Sequence, residues 1–378
     1  VSAEPDTRGL ARERSRVERL ASELGARELD ALLVDSLVNV RYLTGFTGSS
    51  ALALVISEAA GERLGAHRFL TDFRYAAQSA EQVPDAFERE IVAGELMEAL
   101  SGGLRGTGGR LGFEDASMTV KQHAKLAELL GEGWELTPST DAVERLRAVK
   151  DRGEIARIQA ACELADEALR GVLEDGLHGR SERDVALALE LRMRELGAQA
   201  PSFPSIVAAG PHGALPHASP REEKIPRDVL VTIDWGALHE GYCSDCTRTY
   251  ATGEGISAQL RDLYELVLSA QQQGLAAVKA GLSGREVDAV AREVIEEAGQ
   301  GEHFGHGLGH GVGMEIHEAP RLARTAGEEP LRAGNVVTVE PGVYLPGVGG
   351  VRIEDLVVVG EDSREVLTSL PKALTVIA

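Results

Sequence analysis

The stretch His303-Phe304-Gly305-His306-Gly307-Leu308-Gly309-His310-Gly311-Val312-Gly313-Met314-Glu315-Ile316-His317-Glu318 decides how this chain is read. It holds four of the ten histidines of the sequence and sets glycine at every second position from Gly305 to Gly313. His306 and His310 have the i, i+4 spacing of a helical metal pair, but each alternating glycine costs about 1 kcal/mol in a helix. The stretch therefore predicts a strand or strand-like loop. Glycine there lets backbone or a ligand approach closely, and histidine offers nitrogen to a metal or a proton. A flexible glycine loop with incidental histidines is the plainer alternative.

Working outward, 378 residues exceed what one hydrophobic core usually organises, so two domains are expected. The formal charge of -21, from 60 acidic against 39 basic residues, argues against nucleic-acid and anionic-membrane partners. Cys162, Cys243 and Cys246 cannot all pair within one chain, which suits a reducing compartment. No apolar run reaches the roughly 18 residues of a membrane span. Val1 to Leu10 lacks the apolar core of a signal peptide, so the cytoplasm is the expected location.

Leu10, Val17, Leu20 and Leu24 predict an amphipathic first helix ending at Gly25. Strands are expected at Ala31 to Val34, Ala51 to Ile56 and Arg68 to Thr71, with Asn39 to Ser50 a turn-rich loop and a helix running through Ala80. This alternation makes residues 1–143 an α/β domain, followed by a second domain over residues 144–378. There Asp151 with Glu154 and Ser181 with Asp184 start two helices, and strands follow at Val229 to Trp235 and Tyr242 to Tyr250. The order then recurs: a helix from Ser257 to Ala280, a second opened by Ser283 and Glu286, and strands at Asn335 to Tyr344 and Val351 to Val359. Two similar helix-helix-strand-strand halves are the expectation.

Acids end these strands. Asp234 closes Val229 to Trp235, Asp245 lies on the returning strand, Glu340 closes the β-branched run from Val336, and Glu354 lies on the strand that returns from it. A turn centred near residue 239 sets Asp234 and Asp245 roughly opposite one another, which is costly unless a cation lies between them. Four carboxylates with one imidazole suit Mn, Co, Fe or Zn and neutralise two divalent ions. Cys243 and Cys246 form a C-x-x-C, but their odd separation on a strand argues against a shared zinc or redox role.

Asp234, Asp245, His310, Glu340 and Glu354, with the string from His306 to Glu318, resemble the aminopeptidase P and prolidase family of dinuclear metallopeptidases. Tyr42 to Ser49 and Thr71 to Tyr75 resemble the N-terminal, non-catalytic domain of the same family, so the likeness spans nearly the whole chain. The resemblance implies a C-terminal α+β "pita-bread" domain with pseudo-twofold halves and two divalent metal ions, manganese first. It implies that Asp245 and Glu354 bridge both metals, that Asp234 completes one site, and that His310 and Glu340 complete the other. His217, His306 and His317 then line the substrate pocket, Glu340 moves a proton, and Tyr344 and Arg352 support the site or the substrate. The activity implied is attack by a metal-bridging hydroxide on the bond preceding a proline in the second position of a small peptide. Of the two substrate lengths in the family, aminopeptidase is the first reading and strict Xaa-Pro dipeptidase the alternative. A non-catalytic binding module of the same fold is the alternative from another class. The family also implies a homodimer. His212 and His303 match no family position, and Arg41, Arg74 or a partner subunit's arginine are the candidates for holding a dipeptide's free carboxylate.

Overall fold

The structure, a computed structural model, describes residues 15–377. Leu10 lies outside them. The chain separates into two compact units, Val1–Leu146 and Arg147–Ala378.

The first unit is built on a mixed six-stranded sheet of β1 Ala31–Val34, β2 Ala51–Ile56, β3 His67–Asp72, β4 Phe87–Val92, β5 Gly109–Glu114 and β6 Trp134–Ser139, in the order β4-β3-β2-β1-β5-β6. Helices α1 Arg16–Ala26, α2 Leu37–Thr44, α3 Gly61–Leu64, α4 Ala76–Gln82, α5 Leu96–Gly103 and α6 Val120–Leu130 alternate with the strands. In α1, Val17, Leu20, Ala21 and Leu24 form the buried stripe, and Gly25 falls within the last turn rather than ending the helix. The expected loop Asn39 to Ser50 is corrected over its first half, where α2 forms. Its N-terminus is satisfied from far away in sequence: the Glu114 carboxylate accepts from Asp35 N at 2.7 Å and Ser36 N at 2.8 Å. Gly45 ends the helix in the left-handed region, with φ of 76°.

The units divide inside helix α7 Glu144–Ala148. In the second unit come α8 Arg152–Glu174, α9 Glu182–Glu195 and strands β7 Ala200–Pro201, β8 Ile206–Ala209, β9 Leu230–Trp235, β10 Ala237–His239, β11 Tyr242–Cys243 and β12 Cys246–Ala251. Next follow α10 Ala258–Ala277, α11 Gly284–Glu297 and strands β13 Gly309–Gly311, β14 Glu318–Leu322, β15 Val336–Val339, β16 Gly342–Leu345, β17 Gly349–Arg352, β18 Asp355–Val359 and β19 Arg364–Val366. The sheets are β12-β9-β8, β11-β10-β7, β14-β13-β15-β18-β19 and the ribbon β16-β17. None of the helices among the described residues is long and apolar enough to cross a membrane.

The two halves repeat bond for bond at one place. Gly179 N donates to Ile225 O at 3.0 Å and Ile225 N to Arg180 O at 2.8 Å, while Gly281 N donates to Leu331 O at 2.9 Å and Leu331 N to Leu282 O at 2.8 Å. Each pair stands just before the N-cap serine of the second helix, Ser181 or Ser283, and both serines make capping boxes. Each helix pair covers its own core: α8 and α9 pack on β8, β9 and β12 through Trp235, Leu189 and Ile233, and α10 and α11 on β15 to β18 through Val267, Ala291 and Val337.

Each half also carries a long hairpin interrupted midway. The first pairs from His239↔Tyr242 to Leu230↔Ala251 and breaks at Ser244 and Asp245. The second pairs from Leu345↔Gly349 to Val336↔Val358 and breaks at Glu340-Pro341 and Ile353-Glu354. The first register corrects the sequence expectation, since Asp234 pairs with Thr247 and not with Asp245. The cause is the turn. It consists of the two residues Glu240 and Gly241, both at positive φ (48° and 82°), which is the backbone of a tight hairpin. Because this turn is centred later than the glycine pattern suggested, Asp245 lies two residues short of the position opposite Asp234.

Of the histidine-glycine stretch, Gly309–Gly311 is strand and Glu318 opens the next strand, β14. Strand β13 threads between β14 and β15, and a Cβ on Gly309 would lie 2.0 Å from the Thr338 carbonyl oxygen, and on Gly311 2.3 Å from that of Ala319. Glycine is required there by close backbone approach. Gly309→Ala should force β13 off β15 and lower stability by about 1–3 kcal/mol, read as a fall in the urea midpoint of the metal-free protein. An unchanged midpoint would contradict this packing.

Candidate metal centre

The interruptions of the two hairpins converge. Asp234, Asp245 and Glu354 each offer a carboxylate oxygen within 4.8 Å of the others. His310 joins them from β13, its Nε2 standing 3.4 Å from Glu340 Oε1 and 3.6 Å from Asp245 Oδ2. Asp245 and Glu354 are buried, with 5% and 1% of their surface exposed. The five candidate ligands thus surround one place, supplied by β9, β13 and the breaks between β11 and β12, β15 and β16, and β17 and β18.

Without a cation the lone pairs gathered here are met only if the carboxylates hold protons. His310 Nδ1 faces the Gly311 carbonyl at 3.1 Å, and a carbonyl only accepts, so the proton is on Nδ1. Burial holds this imidazole neutral by pulling its pKa down to about 4. Nε2 therefore turns a lone pair towards two carboxylates that have lone pairs of their own. Among the described residues, Asp234 Oδ1 and Glu354 Oε1 are buried without any hydrogen-bond partner, a state that costs free energy unless something positive meets them. Burial, then the neighbouring carboxylates, push the Asp245 and Glu354 pKa values far above the usual range. Burial alone is the main cause that takes Glu340 up to about 8. Oxygen donors, one imidazole and excess negative charge fit divalent metal ions.

Other side chains hold the ligands in place. Thr247 Oγ1 donates to Glu354 Oε2 at 2.8 Å, and Thr338 Oγ1 donates to Glu340 Oε1 at 3.4 Å and accepts from His310 N at 3.1 Å. Sequence reading missed both threonines as ordinary β-branched strand residues. The available signal was the two-residue offset that puts Thr247 and Thr338 on the same strand face as Asp245 and Glu340. Behind Glu354, the buried Arg248 donates to Asp355 Oδ1 at 2.9 Å and to the Glu354 carbonyl, while Gln271 and Thr368 each donate to Asp355 at 2.9 Å.

Arg352, at 3% exposure, donates from Nη2 to Asp234 Oδ2 at 2.7 Å and from Nη1 to the Tyr344 hydroxyl at 2.8 Å. His306 repeats the logic of His310: Nδ1 faces the Gly307 carbonyl at 2.7 Å, so Nε2 accepts from Tyr344 at 3.0 Å. The His317 ring packs edge-on against His310, with centroids 4.4 Å apart. His217 is exposed, and the adjacent Pro216 carbonyl accepts from Arg352 at 3.3 Å; burial, above all, lowers the pKa of His306 and His317. His212 lies apart from these groups and pairs with the buried Glu182 at 2.9 Å, while His303 stands 3.8 Å from Glu302. Cys243 and Cys246 belong to different core clusters and carry free thiols. Arg321 is a further cation that the sequence did not single out. It is exposed on β14 and its Cα pairs with that of His310; burial first, then the Arg321 charge, lowers the pKa of His317.

Residues 156–361 match metallopeptidase family M24, and residues 16–149 match the creatinase/prolidase N-terminal domain. The chain belongs to metallopeptidase family M24. An Xaa-Pro dipeptidase of Pyrococcus furiosus is 35% identical over 96% of this chain and 99% of its own. Among solved structures, an Xaa-Pro dipeptidase from Bacillus anthracis is 40% identical with a TM-score of 0.90, covering 96% of this chain and 99% of its own. An X-Pro aminopeptidase from Thermotoga maritima is 35% identical with a TM-score of 0.86, covering 96% of this chain and 100% of its own. The M24 chain is accordingly a metal-dependent peptide hydrolase of the aminopeptidase P and prolidase family, with the two-halved pita-bread catalytic domain and an α/β N-terminal domain.

The raised carboxylate pKa values set a pH signature. In the metal-free protein the proton on Glu340 contributes stability that is fully present below the ordinary carboxylate value of 4.5 and is lost as pH rises through about 8. Divalent ions must displace such protons. The rise in Tm on adding manganese should therefore be larger at about pH 8.5 than at about pH 5.5. An increment that does not grow over this range would contradict the charge arrangement described.

Proposed function

We propose that this chain hydrolyses the bond between an N-terminal residue and a following proline, with the Xaa-Pro dipeptide as its preferred substrate. In this reading Asp234, Asp245, His310, Glu340 and Glu354 would hold two divalent metal ions, manganese being the first candidate and Co, Zn and Fe the others. The observation that carries the reading is the convergence of the His310 Nε2 lone pair on Glu340 and Asp245, in the same cluster as the buried, unpartnered Asp234 Oδ1 and Glu354 Oε1. Four carboxylates offset the charge of two divalent ions. Bound there, the ions supply Lewis-acid polarisation of the scissile carbonyl and a water that ionises near neutral pH.

The chain's own groups do the rest. Glu340, held by Thr338 at the edge of the site, takes a proton from the attacking water and returns it to the leaving nitrogen. Return matters because the proline amide is tertiary: its nitrogen carries no hydrogen and leaves only when protonated. His317, exposed beside His310, donates a hydrogen bond to the carbonyl oxygen as negative charge grows there. His306 and His217 line the same pocket, His306 held by Tyr344. Arg352 and Tyr344 orient Asp234 and His306 rather than meet the reacting atoms, since their polar groups are already committed.

Substrate length is supported by two observations. The Pyrococcus furiosus and Bacillus anthracis relatives are named Xaa-Pro dipeptidases, and the exposed Arg321 offers a cation beside His310 and His317 for the free carboxylate of a dipeptide's proline. The second reading is an Xaa-Pro aminopeptidase, favoured by the name of the Thermotoga maritima relative and by Tyr42 to Ser49 and Thr71 to Tyr75. A cytoplasmic homodimer, resting on the family resemblance and on three buried free cysteines, completes the proposal. The test is kcat/KM on Xaa-Pro against Xaa-Pro-Xaa. The dipeptide should be preferred, and Arg321→Ala should cut its kcat/KM on the order of 10- to 100-fold, mostly through KM. Equal rates on both peptides, unchanged by Arg321→Ala, would favour the aminopeptidase.

A further inference from the structure

The loop between β13 and β14 carries His317, and nothing in the ring's own contacts locks it. Among the described residues it packs edge-on against His310 and makes no hydrogen bond. Its backbone is fixed by the next residue. Glu318, whose side chain is only 7% exposed, receives Lys150 Nζ at 3.1 Å on one oxygen, and on the other the Arg147 guanidinium and, at 3.0 Å, Glu315 N. Both cations are themselves buried, with Arg147 at 3% and Lys150 at 1% side-chain exposure, and Arg147 also reaches Glu315 at 2.8 Å. The loop closes tightly over this carboxylate. Gly313 N donates to Glu315 O at 3.1 Å, and a Cβ on Gly313 would lie 2.5 Å from Glu318 Oε2.

The cations are anchored in turn to the strands that bear ligands. Lys150 N donates to Gly334 O at 2.9 Å and Asn335 Nδ2 to Ala148 O at 2.8 Å, at the start of β15, which leads to Glu340. On the other side Cys243 N donates to Gly313 O at 2.8 Å, next to the break that holds Asp245. The short loop is thus clamped between both hairpins, with Glu318 at its centre.

We propose that Glu318, gripped by Arg147 and Lys150, is the positioning residue for His317: it fixes the backbone that presents the imidazole to the scissile carbonyl. A buried carboxylate between two buried cations is a rigid, directional anchor, because each partner pays to be left alone. Glu318 touches neither substrate nor metal. The proposal rests on the reading of His317 as a substrate-facing group.

The test is a double-mutant cycle with metal content measured on every protein. Glu318→Gln keeps shape and removes charge. It should retain the metal content of the parent, lower kcat on the order of tenfold with KM little changed, and add no further loss when combined with His317→Ala. Lys150→Met removes one of the two cations and guards against misfolding of the first variant. It should lower kcat in the same direction by less, and should likewise add nothing to His317→Ala. The proposal is overturned if either folded variant loses metal in step with activity, if its loss multiplies that of His317→Ala, or if kcat stays at the parent value. Parental turnover in His317→Ala alone would sink the role assigned to His317, and the proposal with it.

Discussion

Four carboxylates brought together in a space largely closed to water repel one another, and the architecture of the second unit is arranged around that cost. Like charges so placed can be tolerated through protonation, through paired cations or through bound metal. Arg352 satisfies one oxygen of Asp234 and Thr247 one oxygen of Glu354, leaving Asp234 Oδ1 and Glu354 Oε1 unmet. The tautomer of His310, set by the Gly311 carbonyl, adds another lone pair to the same place. The site is therefore met either by protons on its acids or by bound cations, and the two compete for the same lone pairs.

Two interrupted hairpins are an economical way to hold such a centre. Continuous pairing on both sides of each break keeps the acids in fixed register, while the breaks at Asp245 and Glu354 free the chain to bring those side chains inward. Helix pairs with the same capping geometry brace each hairpin from its own half. The His310 strand then runs where only glycine fits, at Gly309 and Gly311, so the imidazole arrives on a backbone pressed against β15. Precision at the centre comes from main chain more than from the side chains that carry the chemistry.

Much of this was legible locally. The pairs Asp151 and Glu154, Ser181 and Asp184, and Ser283 and Glu286 announced helix starts because a capping box is written within four residues, and all three form. The repeat of the halves and the acids at strand ends could be read the same way. What could not be read depends on distant partners or on unusual backbone. Helix α2 hides among turn-forming residues because the carboxylate that holds the chain entering it, Glu114, lies nearly eighty residues on. The register of the first hairpin was misplaced because Glu240 takes a positive φ that glycine or asparagine usually takes. Arg321 and the grip of Arg147 and Lys150 on Glu318 carry no local motif, and the second of these spans 168 residues or more.

The central claim is that these five side chains exist to hold metal, and anomalous diffraction from crystals grown with manganese tests it most directly. The account predicts two anomalous peaks, both enclosed by Asp234, Asp245, His310, Glu340 and Glu354, with no peak within bonding distance of His306 or His317. Absence of any peak among the five, or a metal held by His306 or His317, would contradict it.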